Sequence, residues 1–168
     1  EALPIETNDE GKENLFAGRC DVYTTDASGL SSTRAAASNP DKWVVLPEII
    51  SKEPLGPLVR HGDHQWGDVV RWSLNAMIIA EELGVTSENV DAQLGSNVPE
   101  VLRLLGVEGS YGEMLELAPD WAYQIIKQIG NYSESYEANV GPDTPLEIAR
   151  GLNALWTQGG ILYAPPFR

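Results

Sequence analysis

From Asp63 onward, apolar residues recur at three- and four-residue spacing. Trp66, Val69, Val70, Leu74, Met77 and Ile78 fall on one side of a helix, which Asp63 opens as a cap and which ends before Gly84. Trp121, Ala122, Ile125, Ile126 and Ile129 make a second stripe that stops at Gly130, and a shorter helix runs from Ser133 toward Asn139. Thr144-Pro145-Leu146-Glu147 has the spacing of a capping box with proline at the first helical position, and it predicts a helix that Gly159-Gly160 ends.

The first 63 residues have a different texture. Glu13 to Ala17 reads as the end of a helix stopped by Gly18, and Leu30 to Ala37 as a helix that Asn39-Pro40 terminates. Between them, β-branched Cys20 to Thr25 predicts a strand. Trp43 to Pro47 predicts a second, and Leu55 to Asp63 a third whose start is weakened by prolines. Helices alternating with short strands imply an α/β layer, joined to a helix-rich second region. The chain contains no internal repeat and no low-complexity tract.

Composition narrows the class of partner. A hydrophobic content of 42% over 168 residues supports a real core, in one domain or in a piece of something larger. The net charge of -14 repels phosphate backbones and anionic lipid, which discounts nucleic acid and membrane surfaces as direct partners. The longest apolar runs, such as Ala76 to Ala80, fall far short of the roughly 20 residues that span a bilayer, so a soluble chain without membrane insertion is expected. The first residues carry neither a basic start nor an apolar stretch, as in a cytosolic protein or in a mature or shortened chain. Cys20 has no second cysteine to pair with in the sequence. It is either a small buried residue or one half of a bridge to another chain.

Chemistry-bearing residues are few. His61 and His64 are three apart but lack further ligands, so no metal site is assigned. No phosphate loop, nucleophile elbow or metalloprotease pattern occurs, and no acid, base and nucleophile set can be named; neither an enzyme nor a cofactor is expected. Glu81-Glu82, Glu113 and Glu116 read as solvated charge. Asp26 stands apart, because it follows a strand candidate and precedes a helix. It is either that helix's cap or a carboxylate at the carboxyl end of a strand, where open α/β sheets bind ligands and where it would suit an ammonium group. Thr24 and Thr25 precede it, and strand alternation lets only one of them face the same side.

The stretches 18–30 (GRCDVYTTDASGL), 44–63 (VVLPEIISKEPLGPLVRHGD), 125–141 (IIKQIGNYSESYEANVG) and 149–166 (ARGLNALWTQGGILYAPP) resemble the periplasmic general L-amino-acid-binding proteins of polar amino-acid ABC transporters, solute-binding protein family 3. The resemblance runs over nearly the whole chain but covers only the C-terminal half of such proteins. It implies a type II-like periplasmic binding protein fold, α/β in ancestry and helix-rich with a few strands in this half. It further implies a protein of two lobes that close on a free L-amino acid and present it to the membrane permease. Residues 1–46 would end the second lobe, 47–56 would be the crossing with Pro47, Pro54, Gly56 and Pro57 as hinge residues, and 57–168 would return to the first lobe and add a helical tail. Asp26 matches the aspartate that takes the ligand α-ammonium, with Thr25 and Thr24 as further candidates lining the pocket. Cys20 matches a cysteine bridged within the part that lies outside this chain.

The arginine that grips the ligand carboxylate in that family has no match here. Burying a zwitterion's carboxylate without a partner costs several kcal/mol, so Asp26 alone is not expected to bind an amino acid tightly. The chain is therefore expected either to work with the missing N-terminal half or to assemble with copies of itself. The alternative to transport is a self-associating interaction or structural module descended from such a protein.

Overall fold

The computed structural model describes residues 2–168, and its helices fall in two groups. The first group is α1 (Asn8–Phe16) and α2 (Ala27–Ala35), followed by a 3-10 turn at Pro40–Lys42. Thr7 caps α1 by accepting from the Glu10 amide, and Asp26 caps α2 by accepting from the Gly29 amide. The end of α1 agrees with the pattern: Ala17 closes it and Gly18 takes a left-handed turn at φ 68°. Helix α2 starts three residues earlier than its apolar pattern indicates, because the cap rather than the first leucine sets its beginning.

The second group forms the body. Its axis is α3 (His64–Glu82), against which α5 (Pro99–Leu104), α7 (Trp121–Ile129) and α8 (Tyr132–Asn139) pack. Two single-turn helices, α4 (Val90–Gln93) and α6 (Tyr111–Met114), complete it. Val85, Val90, Leu104, Leu105 and Ile126 are the fully buried large side chains, each worth about 2 kcal/mol in transfer from water. The buried hydrophobic core lies entirely between Ala76 and Phe167, and no aliphatic or aromatic side chain of α1 or α2 is buried. Trp66 is 55% exposed, although it falls on the apolar stripe of α3. Residues 64–75 of α3 are exposed or half-buried, while Ala76, Ile78, Ile79 and Ala80 toward its other end are buried.

Three expectations are corrected. Among the described residues no strand forms at 20–25, 43–47 or 55–63, and the one pairing is an isolated parallel bridge between Leu155 and Leu162. A strand exists only through its ladder, and these segments find no partner within the chain. Thr144 caps only a single turn: the Leu146 amide donates to its Oγ1 and the Glu147 amide to its carbonyl. Glu147 then turns left-handed at φ 52°, and the Ile148 amide donates to the Val140 carbonyl, so a reversal and two 3-10 turns (Gly151–Asn153, Trp156–Gln158) replace the helix. Glu81, read as solvated, has a side chain only 9% exposed and is bonded to Arg150.

Between the two groups, residues 46–63 form neither helix nor strand apart from a turn near His61, and every one of them is exposed. The total accessible surface is 11375 Å². A compact monomer of 18.3 kDa exposes about 8,100 Å². The excess is about 3,200 Å².

Candidate functional site

Asp26 occupies the N-cap of α2 with extended backbone (φ -60°, ψ 154°) and is half-buried. Oδ1 accepts from Ser28 Oγ at 2.5 Å and from the Gly29 amide at 2.8 Å. Oδ2 accepts a long hydrogen bond from Thr25 Oγ1 at 3.4 Å, so most of its accepting capacity is free. These hydrogen bonds, led by Ser28 and followed by Gly29, hold the Asp26 carboxyl below the ordinary value of 3.8 against a smaller opposing effect of burial. The positive end of the α2 dipole acts in the same direction. Both effects favour the charged form of the group.

Asp26 is thus the cap of α2 through Oδ1, while Oδ2 makes only the long bond to Thr25. Thr25 is half-buried and engages Asp26, whereas Thr24 is exposed. On α2 itself the buried residues are Ser31 and Thr33, and Thr33 Oγ1 donates to the Gly29 carbonyl at 2.7 Å. Cys20 is half-buried and unbridged. Pro47, Pro54, Gly56 and Pro57 all lie on the exposed crossing. His61 sits in the turn before α3 and His64 begins the helix, both exposed.

Two interactions join distant parts of the sequence through arginines that the pattern did not single out. Arg150 Nη2 donates to Glu81 Oε1 and Oε2 at 3.0 and 3.1 Å and to the Asn153 carbonyl at 2.8 Å, and its guanidinium carbon lies 5.3 Å from the Tyr132 and Tyr136 ring centres. Arg34, in the last turn of α2, reaches Glu147 Oε2 at 2.5 Å. The available signal for the second was Gly141-Pro142 next to Thr144-Pro145, a cluster that favours turns over a long helix. Two cavities lie in the body, one between Glu82, Glu100, Trp156 and Tyr163 and one between Trp72, Tyr111, Trp121 and Phe167; neither includes Asp26.

No protein-family model matches the chain. It is 56% identical over 160 residues to the glutamate/glutamine/aspartate/asparagine-binding protein BztA of Rhodobacter capsulatus, covering 95% of this chain and 47% of that protein. It is 58% identical over 154 residues to the general L-amino acid-binding periplasmic protein AapJ of Rhizobium johnstonii, covering 90% of this chain and 45% of the relative. A solved ABC transporter/periplasmic binding protein from Brucella ovis with glutathione bound superposes with a TM-score of 0.90 at 51% identity, over 98% of this chain and 52% of the other. The chain spans about half the length of the curated relatives it matches. Over nearly its whole length it is homologous to proteins named as amino-acid-binding components of ABC transporters, of which it matches a C-terminal half.

Proposed function

We propose that this chain is the C-terminal part of a periplasmic solute-binding component that captures a free L-amino acid and presents it to the membrane permease of an ABC transporter. The observation that carries the reading is the match to the glutathione-bound protein, which extends over 98% of the chain at a TM-score of 0.90. An agreement that wide takes in the segment bearing Asp26, the crossing and the helical body together. Glutathione presents a free α-ammonium and α-carboxylate at its glutamyl end, the same head group as an amino acid.

In this reading Asp26 Oδ2 takes the ligand ammonium through a charge-assisted bond, while Oδ1 keeps α2 capped. Thr25 orients the carboxylate, and Thr24 lies at the edge. Residues 1–46 complete one lobe and 57–168 the other, with 47–56 as the crossing and Pro47, Pro54, Gly56 and Pro57 confining its bending. The ligand carboxylate is held by groups outside this chain, as is the bridge partner of Cys20. The excess surface supports a missing complement: about 3,200 Å² is on the scale that obligate interfaces bury. Binding then acts as a population shift toward a closed form whose lobe contacts the ligand completes.

The test is native mass spectrometry of the 168-residue chain, alone and co-expressed with the N-terminal half of a BztA-type relative, in the presence of L-glutamate and L-glutamine. A 1:1 complex that retains one amino acid supports the reading. A ligand-blind homo-oligomer that ignores the complementary half supports a self-associating module instead.

A further inference from the structure

We infer that the Arg34–Glu147 ion pair is a clasp between the two parts of the chain, and that it sets how closely α2, with Asp26 at its head, is drawn against the helical body. This deepens the proposed function and rests on it, since it names a positioning contact for the same site.

Three observations meet at the pair. Helix α2 carries Asp26 at its N-cap and Arg34 in its last turn, so one rigid element of roughly 13 Å bears the candidate ammonium partner at one end and the clasp at the other. Glu147 lies 113 positions along the sequence from Arg34. Among the described residues, this is the one hydrogen bond or ion pair that joins the chain before position 47 to the chain after position 63. The crossing between those positions is exposed throughout and does not itself hold the parts together.

The third observation is the backbone of Glu147. Its φ of 52° is a left-handed conformation that side-chain-bearing residues rarely adopt. It occurs where the sequence offers a capping box, in which this carboxylate would turn back onto the cap amide. Instead the carboxylate is directed at Arg34. Local preference is overridden at a residue whose bonding is inter-element, which is where functional constraint is expected. In a chain of net charge -14, the two parts repel one another on average, and a cation facing an anion across the gap opposes that repulsion at one point. Arg34 is 23% and Glu147 60% exposed, so the pair is screened by salt and reversible rather than a permanent bond.

The test needs neither ligand nor complementary half. Spin labels at Ser32→Cys and Glu88→Cys, in a Cys20→Ser background, report the distance between α2 and the body by pulsed electron resonance. Arg34→Glu or Glu147→Arg raises the population at long distance two- to fivefold, the double reversal restores the wild-type distribution, and Arg34→Gln gives an intermediate shift. Salt of about 1 M reproduces the single reversals in the wild-type chain. Far-UV circular dichroism confirms that each variant keeps its helices. A distance distribution unchanged by single reversal, or not recovered by the double reversal, overturns the clasp. Should no amino acid bind to the reconstituted protein, the transport reading fails while the distance result still decides the clasp.

Discussion

At the scale of single residues, substitution separates the observed cap at Asp26 from its proposed ligand role. Asp26→Ala removes the cap and costs about 1 kcal/mol of stability. Asp26→Ser keeps a side-chain oxygen for the Gly29 amide and is expected to unfold within about 0.5 kcal/mol of wild type, yet to lose amino-acid binding in the reconstituted protein. Urea denaturation and calorimetric titration of the pair measure the two effects. The native carboxyl lies below its ordinary value of 3.8, so the unfolded chain takes up the proton first as pH falls. The cap's contribution is complete above about pH 5 and is lost as pH drops through the lowered native value, a loss that Asp26→Ser does not show. Arg150 supplies a contrasting case. It is 15% exposed, and removing it leaves Glu81 as an uncompensated buried charge, so Arg150→Ala is expected to cost about 3 to 5 kcal/mol in urea unfolding. The cap at Asp26 is legible in sequence because Gly29, its partner, is three residues away. The Glu81–Arg150 pair is not, because 69 positions separate the two and only the packing of α3 against the turn near Arg150 brings them together.

Among the elements, legibility follows length. Helices α3 and α7 span enough turns for a 3.6-residue period to show, and both lie where their stripes place them. Helices α4 and α6 have four residues each and α5 has six, too few for periodicity to distinguish them from loops. The strands differ for another reason: β-branched composition reports readiness to pair, while a strand forms only with a ladder partner, and these segments find none within the chain. Helix α8 shows local and distant information working together. Asn131 and Glu134 form a capping box, and Glu134 also accepts from the Ser87 amide and hydroxyl, fixing the loop after α3 to the start of α8. In the final turn, a Cβ at Gly160 would meet the Ala154 backbone, since the chain doubles back there to pair Leu155 with Leu162. Gly160→Ala is therefore expected to lower the melting temperature by several degrees, read by circular dichroism, whereas the same change at exposed Gly56, where nothing lies nearby, leaves it unchanged.

For the whole molecule, the decisive quantity is surface. The body from α3 onward has its own core, the segment before it has none of its aliphatic or aromatic side chains buried, and 46–63 is exposed from end to end. Limited trypsin digestion is expected to cut first at Lys52 or Arg60 and to leave the body as the persistent fragment, since exposed backbone without packing is the preferred site of nicking. A complementary half that covers this crossing would slow the cut. The direct measurement of amino-acid capture is calorimetric titration of L-glutamate into the chain joined to the N-terminal half of a BztA-type relative, beside its Asp26→Ser counterpart. The expected result is one saturable site in the first and a loss of at least a hundredfold in affinity in the second, with stability unchanged. Equal affinity in both proteins would contradict the assignment of the Asp26 carboxylate to the ligand ammonium.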